Sequence, residues 1–329
     1  DCLLSRGLGD VYKRQEIFYK LAKDADVVLE QYRPGVVKKL GVDYETIKAI
    51  NPKIVYCSLS GYGQTGPYRL TSGHDLNYIS YAGILGLTAR KGQTPTIPGV
   101  QIADIGGGAL YAAIGILIAL MGVKQNGVGQ YVDTSMLDGA VSWLPVLAND
   151  YFVKGVSPKA AENILNGQNA CYEVYETADG RYISIGAIEP HLWANFCDAI
   201  GKEEFKLWQR DLTKQDEMFA YLREMFKSKT QAEWIEKLTG VDCCWAPVKN
   251  LEEVFADSQV LARDMVYEMT DPAGCYGSVK MIGSAVKLSE TPARQELFPP
   301  RKGEHNAEYL KAVGYSDEQI AEFEKNGII

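Results

Sequence analysis

Residues 53–63 read KIVYCSLSGYG, and this stretch predicts a strand that runs into a loop. It joins a short apolar run of strand length to a glycine-rich loop that follows directly. The segments before it are EIFYKLAKDA at 16–25, which predicts a helix, DVVLEQY at 26–32, which predicts a short buried strand, and YETIKAIN at 44–51, which predicts a second helix. Because strands and helices alternate, we expect a mostly parallel sheet with helices on its faces, a Rossmann-like α/β domain.

A second unit begins near residue 171. The stretch CYEVYETADGRYISIGAIEP at 171–190 contains two β-rich runs joined by the turn ADGR, which predicts a hairpin, and helical stretches follow it. We therefore expect a large α/β domain plus a smaller α+β domain. The predicted limits are a leader at 1–15, the first part of the large domain at 16–134, a linker at 135–171, the small domain at 172–262, a second linker at 263–290 and a return to the large domain at 291–329.

The first residues differ in character from the rest. DCLLSRGLGDVYKRQ at 1–15 has no initiator Met, no apolar core of a signal peptide and no helical or strand periodicity. It resembles read-through of a sequencing adapter. We expect a chain truncated at its N-terminus, with its first helix starting at Glu16, and we leave residues 1–15 out of the fold prediction.

Charge and composition indicate which kinds of partner the protein has. A net charge of −8 gives no broad basic surface for nucleic acid, so we expect a small-molecule substrate and no nucleic-acid partner. The seven cysteines show no CxxC pair, which predicts reduced thiols in a cytoplasmic protein and no metal site. The apolar stretch at 105–123 has the length of a membrane span. It opens with glycines and is flanked by ordinary soluble sequence, so we predict a buried core helix and no membrane partner.

Three residues are candidates for catalysis, each with a plainer interpretation. His74 follows a glycine-rich strand end, where α/β proteins place ligand sites, but a lone histidine is more often structural. Asp104 precedes three glycines and a long apolar helix, which fits either an N-cap or a site where helix N–H groups meet developing negative charge. Glu189 ends the predicted hairpin before Pro190, and an acid there is often a turn residue.

Two further segments offer binding groups. The loop EQYRPGVVKKLG at 30–41 carries Arg33 and Lys39 near a predicted strand end. It is either a solvated basic face or a site for nucleotide or pyrophosphate groups. The glycines at 106–108 do not complete a GxGxxG fingerprint with a downstream acid, so dinucleotide binding is weakly indicated.

The chain resembles CoA-transferase family III, and within it the α-methylacyl-CoA racemases. The resemblance runs from about residue 16 to the end. It is carried in order by the segments LEQYRPGVVKKLGV, NPKIVYCSLSGYGQTGPY, GHDLNYISYAGIL, ADIGGGALYAAIGILIAL, GAIEP, KTQAEWIEKLTGVDCCWAPV and GEHNAEYL.

The resemblance implies roles for individual residues. His74 and Asp104 match the two acid/base groups of the racemases, and Asp104 also matches the aspartate nucleophile of the transferases. Glu189 matches the glutamate that pairs with the histidine. Segments that contact acyl-CoA are matched by Arg33, Lys39, Gly73, Asp75, Leu76, Asn77 and Tyr78.

The racemase reaction removes an α-proton from one face of a 2-methylacyl thioester and returns one to the other face, so two acid/bases must flank one carbon. We expect Gly106 and Gly107 to stabilise the enolate oxygen. The alternative is a CoA-transferase in which Asp104 attacks the thioester and carries CoA as an aspartyl thioester. The resemblance also implies an interlocked homodimer and no cofactor, since coenzyme A is part of the substrate.

Overall fold

The computed structural model describes residues 2–294 and 297–329. The described residues fall into two compact units. Unit 1 runs to Glu162 and resumes at Gly303–Ile329, and unit 2 spans Asn163–Lys302. The chain thus leaves unit 1 once and returns to it.

The first part of unit 1 alternates helices and strands. Its elements are α1 (Cys2–Lys23), β1 (Val27–Glu30), α2 (Val36–Lys39), α3 (Tyr44–Ile50), β2 (Val55–Ser60), α4 (Asp75–Tyr81), a 3₁₀ turn (Leu85–Leu87), a π-helical segment (Ile102–Ala109), α5 (Leu110–Asn126), β3 (Tyr131–Ser135), α6 (Met136–Val141) and α7 (Pro145–Lys154).

The sheet of unit 1 is parallel and has the order β1-β2-β3, which confirms the predicted α/β fold. In register, Val27 pairs with Val55, and Tyr56 pairs with Tyr131. Every residue of the central strand β2 is buried, as expected for a strand covered by helices on both faces. The carboxyl ends of β1 and β2 therefore lie at the same edge, where the chain enters its loops.

Helix α3 packs on one face of this sheet and is fixed at its end by a side chain. Ile47 is fully buried against Ile54 and Tyr56. The Asn51 amide donates to the carbonyl oxygens of Ala22 (3.1 Å) and Ala25 (2.8 Å). It thereby satisfies carbonyl groups at and just beyond the end of α1 that have no partner in a helix.

Helix α1 begins at Cys2, whereas we expected the first helix from Glu16. Side chains just before residue 16 hold it in place. The Arg14 guanidinium donates to the carbonyl oxygens of Gly327 (2.6 Å) and Ile328 (3.1 Å), and the Gln15 amide donates to Leu40 O (2.6 Å). These bonds tie α1 to the end of the chain and to the loop after α2.

The prediction of a buried core helix at 105–123 is wrong in one respect. The continuous helix Ile102–Asn126 is the one described helix that is long and apolar enough to cross a membrane by length and composition. Its small residues Ala112 and Ala119 are buried, and a side chain on Gly115 would lie 2.8 Å from Val132 in β3. Five large apolar residues are exposed instead, and we call them the α5 face: Leu110, Ile114, Leu117, Ile118 and Met121.

A contact between two glycines joins the start of that helix to α6. A Cβ on Gly139 would lie 1.8 Å from the carbonyl oxygen of Gly107, and a Cβ on Gly107 would lie 2.8 Å from Ala140 N and from Met136 O. Only backbone fits between the two elements. The π-helical segment Ile102–Ala109 is therefore held against α6 at backbone distance.

Unit 2 combines strands with a group of helices. Its elements are β4 (Tyr172–Glu176), β5 (Tyr182–Gly186), α8 (Pro190–Ile200), α9 (Phe205–Trp208), α10 (Gln215–Phe226), α11 (Gln231–Leu238), β6 (Trp245–Pro247), α12 (Leu251–Phe255), α13 (Ser258–Ala262), β7 (Val266–Thr270) and β8 (Ser278–Ile282). The chain then returns to unit 1 with α14 (Asn306–Ala312) and α15 (Asp317–Lys325).

The predicted hairpin is confirmed. Strands β4 and β5 pair antiparallel, and Gly180 in their turn has a φ of 71°. The polar groups of the aromatic core beneath them bond to backbone acceptors. The indole N–H of Trp193 donates to Phe205 O (2.7 Å), and that of Trp234 donates to Phe226 O (2.8 Å). Unit 2 thus has an aromatic core of its own with its buried polar atoms paired.

The two units divide the chain at other points than the predicted domain limits. The predicted linker 135–171 contains α6 and α7, and unit 2 begins at Asn163. The second predicted linker, 263–290, contains the hairpin of β7 and β8. The return to unit 1 comes at Gly303, after the predicted start at 291.

The glycine contact predicts a local cost for one methyl group. We expect Gly139→Ala to lower the free energy of unfolding by about 1–3 kcal/mol, because two backbones must separate to admit the Cβ. Urea denaturation followed by circular dichroism measures the change. Gly99→Ala is the matched control, since its Cβ would meet no atom within 4 Å. Equal stability of the two variants contradicts the close contact.

Candidate active site

His74 lies at the start of α4 and is exposed. Its backbone is extended, and its N–H donates to the side-chain oxygen of Asn77 (3.0 Å). This is one half of a capping box, in which the residue three positions into the helix holds the residue before it. Asn77 therefore fixes the backbone from which the imidazole projects.

Tyr78 fixes the residue on the other side of His74. It is buried, and its hydroxyl donates to the carbonyl oxygen of Gly73 (2.6 Å). A Cβ on Gly73 would lie 2.7 Å from the Tyr78 ring. Burial is the main cause that raises the pKa of Tyr78, followed by the neighbouring Tyr62 and Asp104. The phenol is thus a neutral donor that holds the chain immediately before His74.

Asp75 connects α4 to the π-helical segment. Its carboxylate Oδ1 accepts the backbone N–H groups of Ala103 (2.6 Å) and Asp104 (3.0 Å). The first N–H groups of a helix have no partner within the helix, and a carboxylate is their preferred external acceptor. One side chain thus holds the beginning of the segment that carries Asp104 against the beginning of the helix that follows His74.

Asp104 lies in the first turn of the π-helical segment, whose N-cap is Gln101. The N-cap interpretation of Asp104 is therefore wrong. Burial is the main cause that raises the pKa of Asp104, the charge of Asp75 adds to it, and His74 acts in the opposite direction. The structure thus brings His74, Asp75 and Asp104 within electrostatic range of one another in unit 1. π-helical segments are rare and occur frequently at functional sites.

The glycines after Asp104 are packed against protein. Gly106 and Gly107 are buried. A Cβ on Gly106 would lie 2.0 Å from the ring of Trp143, and Gly107 meets α6 as described above. Their small size is therefore required for packing. Their predicted role as donors to an enolate oxygen stays a prediction.

A cavity of about 420 Å³ opens beside His74 at the carboxyl end of β2, and we call it the His74 cavity. Among the predicted binding residues it is lined by Arg33, Gly73, Asn77 and Tyr78. Lys39 is exposed in the last turn of α2, and neither it nor Leu76 lines the cavity. Parallel sheets place ligands at this edge, so the location agrees with the expectation for the fold.

Sequence reasoning missed two residues of the same cavity, Ser60 and Arg69. Ser60 is the last residue of β2, and Arg69 lies five positions before His74 in the loop between β2 and α4. An arginine directly after the glycine-rich loop was the available signal. It did not stand out because nothing in the sequence shows how that loop folds back.

Glu189 lies in unit 2, where it is exposed and is the N-cap of α8. Its carbonyl oxygen accepts the N–H of Trp193 (3.1 Å), as an N-cap carbonyl does. Glu189 is thus the residue from which α8 starts. The pairing of Glu189 with His74 stays a prediction.

The described residues contain no group of three His, Cys, Asp or Glu side chains arranged to hold a metal ion. Around His74 the chemically useful groups are an imidazole, a carboxyl group of raised pKa and two arginines. This set can move a proton or present a carboxylate nucleophile next to an anionic ligand.

Comparison with known proteins assigns the chain to a family. The family model of CoA-transferase family III matches residues 11–306. An acyl-CoA transferase of Fusarium pseudograminearum is 35% identical over 96% of this chain and 70% of its own length. The α-methylacyl-CoA racemase of Mus musculus is 34% identical over 95% of this chain and 81% of its own length. A crystal structure of a CaiB/BaiF family protein from Brucella suis has a TM-score of 0.77 at 29% identity, covering 91% of this chain and 78% of that one.

The raised pKa of Asp104 predicts a pH-dependent cost to stability. The folded state holds the proton more tightly than the unfolded chain, so stability falls as the pH rises from the ordinary value of 3.8 through the raised pKa, and the cost persists above it. We expect Asp104→Asn to be more stable than the wild type at pH 7, with the gap narrowing as the pH falls toward 3.8.

Urea denaturation at several pH values measures this gap. Asp26→Asn is the control, because Asp26 is an exposed aspartate of the same unit. A variant Asp104→Asn that is less stable than the wild type at pH 7 contradicts the assigned environment.

Proposed function

Since the chain belongs to CoA-transferase family III, we propose that it is an acyl-CoA enzyme, and specifically a 2-methylacyl-CoA racemase. The observation that carries the proposal is the placement of His74 and Asp104 within electrostatic range, at the beginnings of two helices that Asp75 joins. An imidazole and a carboxyl group can both act as acid and base. Moving a proton from one face of a carbon to the other requires two such groups.

The reaction follows from the two groups. One of them, as its free base, takes the α-proton of the thioester, and the electron pair moves onto the thioester oxygen to form an enolate. The other, in its acid form, returns a proton to the opposite face of the same carbon. Each turnover leaves the pair with its protons exchanged, and no oxidant or metal takes part in the balance. The raised pKa of Asp104 suits this task, because it keeps the acid form populated at a higher pH than usual.

Three of the predicted binding residues form hydrogen bonds within the protein that fix the backbone at His74 and Asp104. Asp75, Asn77 and Tyr78 direct their polar side-chain atoms to Asp104, His74 and Gly73 respectively. Their side chains therefore position the catalytic groups. Arg33 and Lys39 stay available for the charged parts of coenzyme A, and Glu189 is proposed to hold the tautomer of His74.

A CoA-transferase is the second candidate, and the fungal relative named as an acyl-CoA transferase supports it. In this mechanism the Asp104 carboxylate attacks the thioester carbonyl and releases CoA thiolate, leaving a mixed anhydride. The thiolate then attacks the aspartyl carbonyl and releases the first acid, which leaves an aspartyl thioester. The acceptor carboxylate attacks this thioester and releases CoA thiolate again, and the thiolate attacks the acceptor carbonyl of the new anhydride and frees the Asp104 carboxylate. His74 has no necessary role in these steps, so it distinguishes the two reactions.

The partners of the protein are also proposed. We propose a cytoplasmic homodimer without a nucleic-acid or membrane partner. The α5 face supports the dimer, because five large apolar side chains lie exposed on one helix and a patch of this kind is usually covered in solution.

Incubation with a chiral 2-methylacyl-CoA in deuterated water tests the reaction. We expect deuterium at the α-carbon and loss of optical purity without any acceptor acid, because the proton lost to one group is replaced from solvent. We expect His74→Ala to lose racemisation by about 100-fold or more, as removal of a positioned acid/base does. His305→Ala is the matched control, because His305 is an exposed histidine outside the residues assigned to the site. CoA passed to an added acid without any exchange rules out the racemase.

Oligomeric state tests the α5 face. We expect a dimer by light scattering for the wild type, and a monomer for Leu117→Lys with Met121→Lys, because two charges in a buried apolar contact are not tolerated. Leu207→Lys is the control, since Leu207 is a highly exposed leucine of unit 2. A monomeric wild type, or a double variant that stays dimeric, contradicts the proposed interface.

A further inference from the structure

The His74 cavity carries positive charge in an otherwise acidic protein. The chain has a net charge of −8. Among the described residues that line the cavity, the ionisable side chains other than tyrosine are Arg33, Arg69 and His74, and none is acidic. Charges of one sign that line a concave surface concentrate the field there. The cavity therefore favours an anionic group over a neutral one.

Arg69 is free to bind such a group. Other arginines are occupied by the protein: Arg181 forms two bonds with Glu253, and Arg14 binds two carbonyl groups. Within 2–294 and 297–329, no carboxylate forms an ion pair with Arg69. An unpaired guanidinium presents a planar set of donors that matches the two oxygens of a carboxylate or phosphate.

The loop that carries Arg69 is held in place by aromatic packing. The ring of Tyr68 lies 5.8 Å from that of Tyr62 and 4.9 Å from that of Tyr81. The N–H of Thr71 donates to Tyr68 O (2.8 Å). Arg69 lies between these two anchored residues, so its backbone is positioned before any ligand arrives. Such preorganisation lowers the entropy cost of binding.

Ser60 supplies an independent observation. It is only 8% exposed and lines the same cavity, and its hydroxyl has no hydrogen-bond partner among the described residues. Buried hydroxyl groups are nearly always paired, because an unpaired one costs free energy. A turn of the Ser60 side chain toward the cavity would let a ligand oxygen supply the missing acceptor. A hydroxyl left unpaired in the free protein is thus the second indication of a binding site.

We propose that Arg69 and Ser60 bind a negatively charged oxygen group of the substrate, a carboxylate or a phosphate, inside the His74 cavity. The proposal rests on the proposed function, because the substrate is taken to be an acyl-CoA thioester. It adds a specificity residue to the cavity that His74 lines. If the group is a carboxylate on the acyl chain, the preferred substrates are acyl-CoA thioesters with a second acidic group. If it is a phosphate, Arg69 binds the coenzyme A part of the substrate.

Calorimetric binding of four thioesters separates these sources. The pair succinyl-CoA and butyryl-CoA differs in the terminal carboxylate, and the pantetheine thioesters of the same two acids lack the phosphates. We expect Arg69→Ala to bind at least one charged thioester about 10- to 100-fold more weakly than the wild type. This is the effect of losing a hydrogen bond to a charged group. A loss confined to the succinyl thioesters assigns the acyl carboxylate. An equal loss for both CoA thioesters, with none for the pantetheine thioesters, assigns a phosphate.

Matched variants separate binding from folding. Lys53→Ala removes the same charge at the opposite end of β2, from an exposed side chain, and we expect it to leave all four affinities unchanged. We expect Arg69→Lys to recover part of the affinity. Ser60→Ala is expected to bind the same ligand roughly 2- to 10-fold more weakly. It should be at least as stable as the wild type by thermal melting, because no unpaired hydroxyl remains.

Failure of this inference differs from failure of the proposed function. A wild type that binds the thioesters, with an Arg69→Ala variant that binds all four equally well, overturns the inference alone. A wild type that binds no thioester contradicts the proposed function. The cavity is then tested by itself with succinate and inorganic phosphate. The inference stands if at least one of the two anions binds the wild type and binds Arg69→Ala more weakly. It is overturned if neither anion binds, or if every anion that binds does so equally well to Arg69→Ala.

Discussion

The backbone contact between Gly107 and Gly139 is the constraint on which the candidate site depends. It sets the π-helical segment directly against α6, with no side chain between them. The Asp75 carboxylate then accepts the first N–H groups of that segment and ties it to α4. Asp104 is placed by the first contact and oriented by the second. The carboxyl group thereby comes into range of His74, which Asn77 and Tyr78 fix from the other side.

The helix that follows Asp104 shows why apolar composition alone does not predict burial. Its small residues face the sheet, since only they let the helix approach β3 closely, as Gly115 does at Val132. Its large residues, such as Leu117 and Ile118, are left on the outer face. The sequence predicts an apolar helix correctly from length and composition. It does not show which face of the helix carries the large side chains, because that depends on the distance between the helix and the sheet.

Much of the fold could be predicted because it is local. The run at β2 and the hairpin around Gly180 are coded within a few residues each, and both are confirmed. His74 and Asp104 are thirty residues apart, and spacing alone left both with structural interpretations. The support given by Asp75 and Tyr78, and the place of Arg69 in the cavity, depend on loops that fold back over the sheet. No periodicity records such a path, so the sequence did not reveal the contacts of Asp75 and Tyr78 or the place of Arg69.

We propose that His74 and Asp104 act on opposite faces of one carbon. Following α-proton exchange with each enantiomer of a 2-methylacyl-CoA separately, in His74→Gln and in Asp104→Asn, tests this arrangement. If each group serves one face, each variant exchanges the α-proton of one enantiomer only, the two variants differ in which one, and neither racemises its substrate. Exchange of both enantiomers by a single variant would contradict the two-face arrangement.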